Sequence, residues 1–311
     1  MAITSKRKLV SAIVPAYRTE PYLDTFLKSI KKQTILESLE VVLDLNQPST
    51  KELEIVKKHQ GLLGNNLKII LNQEVNSISA SMNNAIFNAS GQFIAIWNVD
   101  DLRTPNSLEC QLEIFLSDPS VICAIGPYKK ISKFKDTDGP IVHERDLSRE
   151  TVLSGMHLGP FYMFPKSITD KIGFFDEQLR SGGDFDFAIR LARTGKVLSS
   201  DALLGWYLDA GLGASTRPNS LQPVERTVIE LRYGIFHKIN SEFIPSTYRY
   251  SIPNIFFKGK LFPVENYFEN YSNYMENRLE QFKLQKNRKF NSMLRKILEK
   301  PRQFLRHVLE T

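Results

Sequence analysis

The feature that most narrows what this chain can fold into is an alternation of two periodicities. Short runs rich in β-branched residues, Leu9–Val14, Leu39–Leu43, Leu67–Leu71 and Phe93–Trp97, are each followed by a stretch with helical spacing. Leu9–Val14 is closed by Pro15 and is apolar at nearly every position, which is how a parallel strand buried on both faces reads. Between these runs, Pro21–Gln33 places Leu23, Phe26, Leu27 and Ile30 on one helix face. Lys51–His59 is helical with Leu53 and Val56 facing inward, and Ser77–Ala89 carries Ile78, Met82, Ala85, Ile86 and Ala89 on one stripe, with Gly91 as a left-handed C-cap. Asn106–Leu116 follows Pro105 as a further helix. Strand–helix alternation of this kind specifies a doubly wound α/β sheet with right-handed crossovers. Ligands in such sheets sit beyond the carboxyl ends of the strands, and Asp44 and Asp100-Asp101 fall at such ends.

The second half is less regular. Val121–Ile125 reads as a strand, residues 129–150 as a loop or edge hairpin, and Asp184–Thr194 as a helix closed by Gly195. Residues 221–245 and 262–311 read as mostly helical. The expected organisation is a catalytic domain over 1–235 and a mostly helical extension over 236–311. A hydrophobic fraction of 42% and a charged fraction of 24% exclude disorder for the bulk of the chain. Two cysteines, Cys110 and Cys123, cannot form a disulfide framework or a four-cysteine zinc site, and a reducing compartment suits them. No apolar run approaches the roughly 18 residues of a membrane-spanning helix. Lys6-Arg7-Lys8 before Leu9–Ala16 superficially resembles a secretory signal, but Pro15 and the lack of a small-residue cleavage site favour a first strand.

The net charge of +7 resides in one place. Residues 281–311 hold nine Lys/Arg and two acids, and the other 280 residues are balanced at 32 of each sign. This balance weakens a nucleic-acid reading of the main body, which would need a basic face of its own, and no nucleic-acid partner is expected. Within the tail, Phe290, Leu294, Ile297, Phe304 and Val308 are interleaved with the basic residues, and Pro301 divides it. Such a basic amphipathic stretch fits an anionic membrane surface, or a helix packed on the body with its cations solvated.

Two acidic clusters can carry chemistry. In Asn98-Val99-Asp100-Asp101, carboxylates directly after a buried strand suit a divalent cation on a diphosphate, because hard cations take oxygen ligands and often share them with substrate phosphates. Capping of the helix after Pro105 explains the same residues equally well. In Gly182-Gly183-Asp184-Phe185-Asp186, an aspartate opening a helix is either a general base or a favourable helix-dipole partner. The glycines leave room for an acceptor, and Phe185 and Phe187 read as core. His157, in a glycine-rich apolar loop, is a weaker candidate on the acceptor side. No nucleophile elbow, phosphate-binding P-loop or dinucleotide fingerprint is present in the sequence.

Taken in order, Ala12-Ile13-Val14-Pro15-Ala16-Tyr17-Arg18, Glu40-Val41-Val42-Leu43-Asp44, Asn76–Ile86 with Ala89–Ala95, Asn98-Val99-Asp100-Asp101, Lys171–Glu177, Gly183–Leu191 and Gly205-Trp206-Tyr207 resemble family 2 glycosyltransferases of the GT-A fold over residues 9–215. The resemblance implies a mixed doubly wound sheet flanked by helices, and inverting transfer of a sugar from a nucleotide diphosphate sugar to an acceptor hydroxyl of a cell-surface or lipid-linked glycan. It implies that Pro15, Ala16, Tyr17 and Asp44 contact the nucleoside, and that Asn83 and Asn98 belong to the nucleotide-sugar site. Asp100 would hold Mg²⁺ or Mn²⁺, Asp184 would be the general base, and Asp101 would stand on the acceptor side. Three positions depart from the family pattern: Asn98 replaces the first acid of the D-x-D motif, Gly183 replaces an acid before the base, and Met82 stands where an arginine often reaches the phosphates. A nucleotidyltransferase or an inactive scaffold of the same fold are the alternatives. The expected location is cytoplasmic, with the tail on the cytoplasmic face of a membrane.

Overall fold

The computed structural model describes residues 8–143, 158–211, 219–235 and 241–283, with single residues 152, 155, 213 and 239 between them. His157 and the basic tail beyond Lys283 lie outside the described residues. The strands are β1 (Val10–Ala16), β2 (Leu39–Asn46), β3 (Leu67–Asn72), β4 (Phe93–Ile96), β5 (Leu102–Arg103), β6 (Val121–Ile125), β7 (Tyr128–Ile131), β8 (Ile141–Val142), β9 (Met163–Pro165), β10 (Lys196–Ser199) and β11 (Gly205–Leu208). A C-terminal pair, β12 (Asn254–Phe257) and β13 (Lys260–Pro263), completes the set. The main sheet has seven strands in the order β10-β6-β9-β4-β1-β2-β3. It is mixed: β4, β1, β2 and β3 are parallel, while β9 runs antiparallel to β4 and β6 on either side of it. A smaller sheet, β5-β11-β7-β8, stands beside it, and residues 129–142 form the edge hairpin anticipated there.

Helices cover both faces. α1 (Glu20–Ile30), α2 (Thr50–Leu63) and α4 (Ser107–Ser117) pack on the face reached by Val10, Ala12, Val14 and Ala16. α3 (Ile78–Asn88), α6 (Gly183–Ala192) and α7 (Gln222–Arg232) pack on the face reached by Ile13, with the short α5 (Ile168–Ile172) nearby. Alternate residues of β1 thus feed two cores, which is why that strand shows no polar alternation. The C-terminal segment joins the second core through Ile244, Ile252, Ile255, Val264, Phe268 and Met275, ending in α8 (Tyr271–Lys283).

Several expectations change. Leu53 is 41% exposed rather than inward. Glu52 takes the inward position because it closes a capping box with Ser49 and accepts the Thr19 N–H and Oγ1–H at 2.6 and 2.8 Å, so α2 buries Glu52, Val56, His59 and Leu63. Gly91 is not a left-handed cap, since its φ is not positive. A Cβ there would lie 2.6 Å from the Ser11 backbone nitrogen and 2.8 Å from the Val10 carbonyl carbon, so the glycine lets two strands approach. Within the stretch read as mostly helical over 262–311, the described residues hold the end of the β12–β13 hairpin and later a helix at Tyr271–Lys283. The hairpin's turn residues Lys258 and Gly259 both have positive φ (45° and 74°). No helix of the described residues is long and apolar enough to cross a membrane.

Candidate active site

The cleft opens where the parallel strands end. Pro15 and Ala16 of β1 pair with Asp44 and Leu45 of β2, and the Trp97 N–H beyond β4 donates to Ile13 O at 3.3 Å. Chain leaving β1 and β4, the start of α3 and the loop before α6 surround a cavity of about 490 Å³. Six of the residues singled out from sequence line it: Pro15, Ala16, Tyr17, Asn98, Asp100 and Asp184. Arg18, Asn46, Asn76, Arg180, Ser181 and Tyr207 line it as well and were not foreseen as site residues. Arg18 turns the chain out of β1 with φ 54°, and its guanidinium lies 5.0 Å from the centre of the Tyr17 ring. A non-glycine residue in the left-handed region at a cleft is the kind of local strain that functional sites retain.

Three other predicted site residues do not reach the cleft. Asp44 is fully buried beneath it, with one carboxylate oxygen accepting from Asn46 Nδ2 and Asn72 Nδ2 (2.9 Å each) and from Ser81 Oγ. Asn46, two residues on along the same strand face, reaches the cavity instead. Asn83 faces away: its amide donates to Phe175 O and Glu177 Oε1, and its carbonyl accepts the Phe175 N–H at 3.0 Å. It orders the chain entering the 176–183 segment, and at 1% exposure it does not line the cleft. Asp101 is 1% exposed and stitches the main sheet to the smaller one, accepting Leu208 N–H at 3.1 Å and Asn98 Nδ2 at 3.0 Å. Burial, with the Asp100 charge beside it, pushes its carboxyl well above the usual range. Neither aspartate caps α4, whose N-cap is Asn106 with no side-chain bond.

The Asn98–Asp101 bond accounts for the missing first acid. A carboxylate at 98 would face that of Asp101 across 3.0 Å, whereas an amide donates to it and keeps its carbonyl oxygen for another partner. Asp100 is half-buried in the cleft, and burial raises its pKa. No group of three or more metal-ligating His, Cys, Asp or Glu side chains occurs among the described residues. One oxygen-donor carboxylate, with an amide oxygen beside it, matches a hard cation that completes its shell with phosphate and water, and does not match an all-protein cage.

Asp184 projects from the first turn of α6. Its carboxylate meets water from the cleft while protein crowds its other sides. That loss of solvation raises its pKa from 3.8 to about 6; the Phe185 N–H at 2.8 Å opposes the rise and the Glu225 charge adds to it. A carboxylate poised there accepts a proton near neutral pH. The preceding glycines serve packing, and Gly183 also lines the cleft: a Cβ on Gly182 would lie 2.9 Å from Ile229 Cδ1 of α7, and one on Gly183 would collide with Ser79 Oγ of α3. Asp186, two residues on, is fully buried and accepts from Arg190 Nε and Nη2 (3.2 and 2.8 Å), Arg232 Nη1 (2.6 Å) and Tyr233 Oη (2.9 Å). Burial works to raise its pKa, but the two guanidinium groups outweigh it and hold the carboxyl below its ordinary value.

Residues 11–174, more than half of the chain, match the family model described as glycosyl transferase family 2. The chain belongs to that family. Among its relatives, a chondroitin synthase of Pasteurella multocida is 27% identical over 193 residues, 60% of this chain and 19% of that protein. An uncharacterized glycosyltransferase of Rickettsia prowazekii is 25% identical over 244 residues, covering 75% of this chain and 73% of its own. The match thus spans about a fifth of the length of the two Pasteurella synthases and 73% of the smaller relative. The fold is shared with Staphylococcus aureus TarS residues 1–349 in complex with UDP (TM-score 0.56, 18% identity, 78% of each chain). It is also shared with a mannosyltransferase of Pyrobaculum calidifontis in complex with GDP-Man and Mn²⁺ (TM-score 0.52, 14% identity, 94% of this chain and 86% of that one). The family 2 match ends at residue 174, before Asp184.

Proposed function

We propose that this family 2 glycosyltransferase transfers a sugar, with inversion, from a nucleotide diphosphate sugar to a hydroxyl of a cell-surface or lipid-linked glycan. The observation that carries the reading is that Asp100 and Asp184 line one cleft at the carboxyl ends of the sheet. Pro15, Ala16 and Tyr17 line the wall where β1 ends and receive the nucleoside, with Asn46 beside them and Asp44 fixing Asn46 from below. Asp100, beside Asn98, would hold Mg²⁺ or Mn²⁺, which when bound neutralises charge on the departing nucleotide diphosphate. Asp184 takes the proton of the acceptor hydroxyl as the hydroxyl oxygen attacks the anomeric carbon from the face opposite the leaving group. The UDP, GDP-Man and Mn²⁺ bound in the structural neighbours and the glycan-synthase names of several relatives support donor, cation and acceptor class. The apolar and basic pattern of residues 282–311 supports a cytoplasmic protein resting on an anionic membrane surface.

The test separates the two carboxylates. Asp100→Ala abolishes Mn²⁺-dependent binding of UDP or GDP with the fold retained, and Asp184→Asn lowers turnover about 100-fold or more with donor affinity nearly unchanged. Unaltered metal-dependent affinity in the first variant, or near-normal transfer in the second, refutes the respective role.

A further inference from the structure

The loop that carries Arg180, Ser181 and Gly182 into α6 is held by a single side chain from another helix. Glu225 is 0% exposed, and its carboxylate accepts three consecutive backbone N–H groups: Arg180 at 2.9 Å on Oε1, and Ser181 and Gly182 at 2.7 and 2.9 Å on Oε2. Tyr250 Oη donates to Oε1 at 3.2 Å. No cation has to pair with this charge, because three amides and a phenol take its place, and charge-assisted bonds of this kind are about twice as strong as neutral ones. We infer that Glu225 is a positioning residue for transfer, clamping the 180–182 loop so that Asp184 meets the acceptor hydroxyl in a fixed place. The inference rests on the assignment of Asp184 as the base.

The geometry favours a positioning role over mere packing. Gly182 is the N-cap of α6 and its side of the backbone touches α7 through Ile229 and Glu225, so the clamp acts two residues from Asp184 with no flexible link between. Arg180 and Ser181, which the clamp also holds, line the cleft together with Asp184. The titratable groups facing Asp184 are Glu225 on α7 and Tyr162 before β9, with Arg180 and Asp100 sharing its cleft. Glu225 contributes a negative charge that favours the protonated form of Asp184. Its neutralisation therefore moves the acid limb of activity downward in pH, which loss of packing alone does not do.

The experiment compares Glu225→Gln, Tyr250→Phe and Asp184→Asn in the full chain, using the turnover number, donor KM and pH profile, with circular dichroism to confirm folding at the assay temperature. The amide of Glu225→Gln cannot accept from all three N–H groups. Its turnover number falls about 10-fold or more, as for other supporting-shell changes, donor KM stays within about 3-fold, and the acid limb shifts to lower pH. A folded Glu225→Gln with parental turnover and an unshifted limb overturns the inference. If that variant does not fold, Tyr250→Phe decides: a turnover reduced about 2- to 3-fold at unchanged donor KM supports the clamp, and parental turnover overturns it. Should Asp184→Asn itself remain active, the base assignment has failed, whatever Glu225→Gln shows.

Discussion

Replacing Asp186 with asparagine changes one heavy atom and removes the carboxylate paired with Arg190 in its buried ion cluster. Arg190 and Arg232 are both 0% exposed, and Asp186 accepts four hydrogen bonds from them and Tyr233. Asp176 remains opposite Arg232 at 2.8 Å, so the variant leaves Arg190 as the uncompensated cation. Breaking a buried pair by removing one partner costs about 3–5 kcal/mol. At roughly 2–4 °C of melting temperature per kcal/mol, the expected fall is on the order of 10 °C. The carboxyl of Asp186 titrates below its ordinary value in the fold, so its contribution is present at neutral pH and lost as pH falls through that lowered pKa. The difference between parent and variant therefore shrinks in acid. Thermal melts by far-ultraviolet circular dichroism at pH 7 and at about pH 3, below the ordinary carboxyl value, measure both effects, and donor titration of the folded variant shows whether the cleft survives. A variant that melts within about 2 °C of the parent yet transfers no sugar refutes the reasoning and makes Asp186, not Asp184, the base.

Other outcomes follow from the same physics. Turnover declines below about pH 6 as Asp184 protonates, and a rate flat from pH 5 to 8 contradicts its role. Because folding raises that pKa, the ionised carboxylate costs stability above about pH 6, so Asp184→Asn melts slightly higher than the parent at pH 8 and equally at pH 4; allowing for its contact with water, the gain is on the order of 1 kcal/mol. Gly91→Ala drives a methyl into the Ser11 and Val10 backbone and loses about 1–3 kcal/mol, read as an earlier urea midpoint. Deleting residues 284–311 removes salt-sensitive binding to anionic vesicles while transfer to a soluble acceptor continues; full-length protein that ignores such vesicles at low salt refutes the membrane role.

The periodic elements were legible because burial on both faces leaves an unbroken apolar run, and one-sided burial leaves a helical stripe. Val121–Ile125 and the Leu23, Phe26, Leu27, Ile30 face carried that signal directly. Polar residues in inward positions erased it in α2, where Glu52 and His59 occupy the buried face. The β12–β13 hairpin was hidden because its turn places Lys258, not the usual asparagine, in the left-handed region. In the cleft, residues at strand ends were readable by position. Asn83 and Asp101 were misread because a polar residue near a site can serve backbone groups that only the tertiary structure brings close. Glu225 had no signal at all: its three amide partners lie 43 to 45 residues earlier in the chain.

The Asn98–Asp101 bond also makes two motif positions interdependent. An acid at 98 is compatible with this loop only if position 101 gives up its charge or gains a cation, so the pair has to change together. The informative comparison across relatives is the joint choice at both positions, and the exchange Asn98→Asp with Asp101→Asn should be tolerated better than Asn98→Asp alone.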